Sequence, residues 1–306
     1  MFTGKHAESQ SGWTAFGIIV MLLGILAAWT AFGTKESESA LCSKAQKNGN
    51  PLEAFKALFQ NDQLLWVALS YLLYAIANVA TTGVLIFPFK FVLDNQAVYS
   101  ATGVIALVAG LIMAPLYPIL NKRIPRRYLY IGGMISMIAG YILLGIFANN
   151  MIMVFVALVL FYVPGTLIQM TAILPLTDSI EYGQLKNGKR NEAVTLSVRP
   201  MLDKIGGAMS NGIVGIIAIA AGMTGDATAA DMTAANINTF KTCAFYVPLA
   251  LIVLSLLVFM FKVKINEKMH AEIVEQLEAK LAVGEIPDEE AKTVETVEAS
   301  TRRPIL

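Results

Sequence analysis

The sequence predicts an all-α integral membrane protein, a bundle of about seven membrane-crossing helices. Three observations carry that expectation. Of the 306 residues 56% are hydrophobic and only 15% charged, against roughly 25% charged in soluble domains, and the mean hydropathy is +0.61. Apolar stretches recur at the length of ~20 residues that a helix needs to cross the hydrocarbon core. The loops between them alternate between basic and base-free, as a chain threading back and forth through a bilayer requires.

Seven spans are expected, at 13–33, 63–89, 99–120, 128–148, 151–175, 201–222 and 241–261. Backbone at that depth must satisfy its own polar groups, so helices are expected; the strands of a membrane barrel would be far shorter and alternate apolar with polar. Pro88, Pro115, Pro118, Pro164, Pro175 and Pro248 fall inside these spans or at their ends, a frequency that membrane helices tolerate. The chain then divides into an extracytoplasmic N-terminus with a first helix (1–33), a polar cytoplasmic linker (34–62), a six-helix bundle (63–261) and a cytoplasmic helix with a tail (262–306). Within the linker, Pro51–Phe59 reads as a short amphipathic helix. A charged helix is expected over Asn266–Ala282, and the Glu- and Thr-rich tail beyond it has the composition of a disordered segment.

Orientation follows from the lysines and arginines. They gather at Lys35, Lys44, Lys47 and Lys56, at Lys122, Arg123, Arg126 and Arg127, at Lys186, Lys189, Arg190 and Arg199, and at Lys262, Lys264 and Lys268; the loops 91–98, 149–150 and 223–240 carry none. The positive-inside rule places the first set, and the C-terminus, in the cytoplasm of a multi-pass protein of the cell membrane. The net charge of +1 gives no footprint for nucleic acid. Cys42 and Cys243 support no disulfide framework, and His6 and His270, both in polar segments, suggest no metal site. Absence of a phosphate loop, an H-E-x-x-H helix or a nucleophile elbow argues against an ATP-driven pump and against an enzyme.

The densest polar segment is expected as a loop after the fifth span, running from Asp178 through Glu181, Lys186, Lys189 and Arg190 to Glu192. Such a mixture is either a solvated positive-inside loop or an ion-pair lattice that opens and closes as a cytoplasmic gate. Lys204 opens the sixth span, ahead of Gly206, Gly207, Ala208, Ser210, Asn211, Gly212 and Gly215. An ionisable group among small residues is a functional candidate by default; the alternative is that it snorkels to the interface or pairs with Asp203. Asn78, Thr81, Thr82, Thr166, Gln169 and Thr171 are uncharged hydrogen-bonding groups in apolar helices, suited to sugar recognition beside aromatic rings or to holding helices together.

The stretch Asp178-Ser-Ile-Glu-Tyr-Gly-Gln-Leu-Lys-Asn-Gly-Lys-Arg-Asn-Glu192, followed by Ser197-Val-Arg-Pro-Met-Leu-Asp-Lys204-Ile-Gly-Gly-Ala208, resembles the signature of the glycoside–pentoside–hexuronide:cation symporters. Within them the chain is most similar to the lactose and galactoside permeases that carry a phosphotransferase-IIA-like tail, because Glu267–Glu278 resembles their linker. The resemblance runs from about Trp13 to about Ala282 and implies a major-facilitator-type fold of twelve helices, of which this chain would hold the sixth to the twelfth. On that resemblance Lys204, Gln169 and Asn211 are expected at the substrate, and Asp178, Glu181, Lys189, Arg190 and Glu192 at the coupling or cytoplasmic gate. Lys189 stands where some relatives have a histidine, which weakens any histidine-based proton role.

The implied function is galactoside:cation symport or galactoside exchange by alternating access. No cofactor or metal is implied; the coupling cation, H+ or Na+, is a co-substrate. The expected partners are a small-molecule sugar, the lipid bilayer, and an N-terminal bundle absent from this chain or a second copy of it. A non-transporting helix-pairing remnant and a membrane-embedded transferase are the competing expectations, the latter lacking the Asp-rich loops it would need.

Overall fold

A computed structural model describes residues 10–32, 59–188, 192–225 and 227–282. The chain divides into two units, Met1–Gly49 with Pro287–Leu306, and Asn50–Ile286. In the first, the described residues form one helix, α1 (Gln10–Phe32), whose apolar stretch is Thr14–Thr30. It is apolar on every side, with Leu23 and Trp29 61% and 72% exposed, as suits a helix solvated by lipid. The expected helix at Pro51–Phe59 and the tail beyond Ala282 fall outside the described residues, apart from Phe59 itself.

The second unit is a helical bundle: α2 (Asp62–Val84), α3 (Ser100–Arg123), α4 (Arg126–Phe147), α5 (Met151–Asn187), α6 (Glu192–Ala220), α7 (Ala234–Lys241), α8 (Val247–Lys262) and α9 (Glu267–Ala282). No strand forms among the described residues. Six segments are long and apolar enough to cross a membrane, the last being the continuous run Ala234–Lys262 of α7, a π-helical turn at Thr242–Tyr246 and α8. The chain is therefore an all-α, multi-pass membrane protein. α2 packs between α6 and α8, α4 lies along α5, and α3 rests on α5. α3 is the least enclosed, with 6% of its apolar window buried against 56% in α2 and 50% in α4.

Hydrogen bonds between helices replace the hydrophobic drive that lipid cannot supply. Ser70 and Ser255 exchange bonds between α2 and α8 (Oγ to carbonyl, 3.0 and 2.7 Å), and the Tyr130 hydroxyl joins them from α4 at 3.2 Å. Thr81 and Tyr141 meet at 2.8 Å, and Tyr141 also donates to the Ala77 carbonyl at 3.2 Å. Each such contact is worth on the order of 0.6 kcal/mol, up to about 1.7. At the opposite end of the bundle the loop after α6 is ordered by Thr228, whose N–H and hydroxyl donate to Asp231 at 2.9 and 2.7 Å. Those two bonds hold the Asp231 carboxyl below its ordinary range.

The structure corrects three expectations. The span 63–89 is not one α-helix: α2 ends at Val84 and a π-helical turn, Pro88–Val92, follows, because Pro88 removes a donor from the ladder. The segment after the fifth span is not a loop as far as Asn187. It continues α5, which at 37 residues is ~55 Å long and overshoots a ~30 Å core. And α6 starts at Glu192, so Lys204 stands three turns into a helix rather than at its beginning.

Candidate functional site

The projecting end of α5 is where the signature residues gather, and each acid and aromatic in it grips another element. Asp178 is buried and paired with Arg126 at the start of α4, Oδ2 to Nη2 2.5 Å. Arg126 in turn reaches Glu267 of α9: its Nε lies 3.4 Å from Oε1, and its backbone N–H donates to the same oxygen at 2.7 Å. Glu267 thereby caps the N-terminus of α4 from another helix. His270, one turn along α9, stands with Nε2 3.7 Å from both the Asp178 and the Glu181 carboxylates. Tyr182 donates to Asp62 Oδ1 at 3.0 Å, and Lys186 pairs with the same oxygen at the first turn of α2.

Gly183 makes room for the remaining contact. Asn61 caps α2 by accepting from the Leu64 N–H at 3.0 Å and donates its amide to the Ser179 carbonyl at 2.7 Å. A Cβ at residue 183 would lie 2.7 Å from that amide nitrogen. Gly188 then ends the helix in the left-handed conformation, φ 70°, its N–H bonding the Gln184 carbonyl. The D-x-x-E-Y-G-x-x-K-x-G pattern thus ties α5 to α2, α4 and α9 within one bundle. Arg127 adds a further clasp, donating to the Val263 and Met260 carbonyls at 2.9 and 2.7 Å at the end of α8.

Of the expected gate residues, Asp178 and Glu181 belong to this cluster, while Lys189 and Arg190 lie outside the described residues. Glu192 opens α6 and is exposed. Of the expected substrate residues, Lys204 and Asn211 share one exposed face of α6 with Ala208, two turns apart. The opposite face, with Gly206 and Ser210 buried, packs on α2. Gln169 is exposed on α5, and its amide interacts with the Tyr74 hydroxyl, which donates to the Gly165 carbonyl at 3.1 Å. The structure brings Lys204 and Asn211 onto one face and leaves the charge cluster a separate site. Thr81 is spent holding helices together, and the Thr82, Thr166 and Thr171 hydroxyls are turned back to their own helices.

A cleft of about 540 Å³ opens between α5 and α6, lined by Thr177, Thr195, Leu196, Arg199, Asp203 and Lys204 among others. Asp203 does not pair with Lys204. It accepts the Tyr71 hydroxyl of α2 at 2.7 Å, and the Arg199 guanidinium lies 5.6 Å from the Tyr71 ring centroid. Among the described residues no ion pair forms to Lys204. Nothing in the sequence marked Tyr71, Asn61, Asp62 or Glu267 as partners, and Asp203, expected as the alternative partner of Lys204, is engaged by Tyr71 instead.

The family described as MFS/sugar transport protein matches residues 1–267. The lactose permease of Leuconostoc lactis is 51% identical over 283 residues, 92% of this chain and 44% of that protein. The lactose permease of Lactobacillus helveticus is 47% identical over 303 residues, 99% of this chain and 47% of that protein. The raffinose carrier protein of Pediococcus pentosaceus is 37% identical over 280 residues, 90% of this chain and 44% of that protein. The chain spans about half the length of the curated relatives it matches.

Proposed function

Since the chain belongs to the MFS/sugar transport protein family, we propose that it forms one helical half of a galactoside carrier working by alternating access, either coupled to H+ or Na+ or exchanging one galactoside for another. The carrying observation is the outward face of α6. Lys204, Ala208 and Asn211 are exposed on a membrane helix, on the face opposite the Gly206 and Ser210 face that packs on α2. A lysine there is costly unless a partner or a water-filled cavity meets it, and a carrier of two bundles supplies both at the interface where its substrate binds. The sparsely buried α3 is a second surface for the facing bundle, supplied by another polypeptide segment or by a second copy. Lactose is the substrate to test first, on the strength of the two relatives near 50% identity. The charged end of the bundle is then cytoplasmic, with α9 inside, and Asp178, Glu181, Lys189, Arg190 and Glu192 belong to the gate that the two bundles close there.

The test is lactose counterflow in proteoliposomes carrying this chain together with the N-terminal half of the Leuconostoc relative. Exchange above the empty-vesicle level is expected, and Lys204→Ala should weaken it about ten- to a hundred-fold in apparent affinity, since a hydrogen bond to a charged group is worth about 1.5–3 kcal/mol. Unaltered counterflow in that variant would return Lys204 to a snorkelling role, and no counterflow from the correctly inserted pair would sink the carrier reading.

A further inference from the structure

We propose that His270 makes the docking of α9 on α5 a pH-sensitive latch: the protonated imidazole bridges Asp178 and Glu181, and loss of its proton loosens the helix. The inference goes beyond the carrier reading and does not depend on it.

α9 has two unlike sides. Glu267, His270, Ile273 and Leu277 follow one another at three- and four-residue steps and so form one stripe, while Glu272, Glu275 and Glu278 are exposed. The helix packs on α5, and of its described apolar side chains only Ile273 and Leu277 are buried. So little apolar contact leaves a deciding share of the docking to charge. Release of α9 also withdraws Glu267 from the N–H and guanidinium of Arg126, so the latch reaches the start of α4 as well as the end of α5.

The charges meet at His270. Its Nε2 lies 3.7 Å from Asp178 Oδ1 and 3.7 Å from Glu181 Oε2, both on α5. All three side chains are half-buried or buried, so salt screens their attraction less than it would on an open surface. The other charged groups around them are Arg126 of α4, on the second oxygen of Asp178, and Glu267, one turn back on α9 and 3.4 Å from the same guanidinium. From α3, the Tyr117 hydroxyl interacts electrostatically with Arg126 and Glu267. Arg126 repels an imidazolium, but it stands behind Asp178, whereas the two carboxylates are next to the ring. A neutral imidazole offers them at most one N–H from Nε2; an imidazolium offers that hydrogen together with a charge that attracts both. Histidine is the side chain whose charge ordinarily changes between about pH 5 and pH 8. Acid at this end of the bundle therefore fastens α9, and a rise in pH frees it. Asp178 keeps Arg126 in either case, so α4 and α5 stay joined while α9 leaves.

Thiol alkylation of the full chain in permeabilised membranes tests this. In a background with Cys42→Ser and Cys243→Ser, Ile273→Cys places a thiol on the buried side of α9 and Gln276→Cys places one on an exposed position of the same helix. The ratio of their rates with N-ethylmaleimide cancels the pH dependence of the thiol itself and reports undocking. Between about pH 5.5 and about pH 8, the range in which histidine ordinarily titrates, the ratio is expected to rise several-fold. His270→Gln should give the high ratio at both pH values, and His270→Arg, whose charge is permanent, the low ratio at both. Glu181→Gln should reduce the rise while leaving the Arg126–Asp178 pair in place. Leu277→Cys, one turn further on, should repeat the result obtained with Ile273→Cys. A ratio that does not change with pH overturns the latch. So does a pH dependence that survives in His270→Gln or His270→Arg, since it then belongs to another group, and so does a change reported by only one of the two buried thiols, since it then belongs to the reporter.

Discussion

Gly183 and Asn61 couple two helix ends through a space that one methyl group would fill. Gly183→Ala is expected to push the Asn61 amide off the Ser179 carbonyl and to disturb the cap on Leu64, at about 0.5–2 kcal/mol, the cost of losing an N-cap. Asn61→Ala should cost a similar amount, and the double variant little more than either, since both break one contact; thermal unfolding of the purified protein in detergent measures all three. Additive losses would show that Gly183 matters for another reason. Arg126 and Asp178 make a sharper case because both are about nine-tenths buried. Arg126→Ala strands a buried carboxylate, for which about 3–5 kcal/mol is the usual penalty. Asp178→Asn in the same molecule should recover part of it, and a double variant less stable than Arg126→Ala would count against the pairing. Such partners were not legible in sequence. The pattern identified Asp178, Glu181, Tyr182 and Lys186 as a unit, but Asn61, Arg126 and His270 come from other elements, and no spacing rule brings residues 118 positions apart together.

At the level of elements, hydropathy located the spans because lipid leaves a long apolar helix as nearly the sole solution. It failed where a helix leaves the membrane. Asp178–Asn187 reads as a loop by polarity, yet it is helical, its charges paired with Arg126, Asp62 and α9. α9 was legible as a charged helix from composition, and its docking was not. It packs on α5, with Ile273 and Leu277 4% and 6% exposed, beside the Glu267 and His270 contacts. Ile273→Asp with Leu277→Asp should release it, so limited trypsin digestion of membranes is expected to cut at Lys268 and Lys280 several-fold faster while the bundle up to Lys262 survives. An unchanged digestion rate would mean that the charges alone hold α9. The proposed orientation is tested on the same elements: cysteines at Asn187 and Thr228, at opposite ends of the bundle, should react with an impermeant thiol reagent from opposite faces of the membrane. Labelling from one face only would defeat the alternation of the loops.

For the whole molecule, the burial of the helices divides the bundle into a finished interior and an unfinished side. α2 and α4 are half or more enclosed, whereas α3 is almost bare and α6 turns Lys204 and Asn211 outward. Lipid suits the apolar part of that side, but not the lysine, whose exposure at the middle of a membrane helix costs about 2.5–3.5 kcal/mol on insertion scales. The polar inter-helix bonds through Ser70, Tyr130, Thr81 and Tyr141 lie inside the bundle, so none of them needs the outer face to be covered. These two facts predict different fates for insertion and transport. Expressed alone in cells without galactoside permeases, the chain is expected to enter the membrane and resist extraction by alkaline carbonate, yet to accumulate no radiolabelled lactose above the host. Supplying a facing bundle should restore uptake and at the same time shield a thiol at Asn211→Cys from alkylation, because one surface serves both. Gradient-driven accumulation by the chain alone would mean that the outward face of α6 is completed by another copy, which crosslinking of that same cysteine between chains would then reveal.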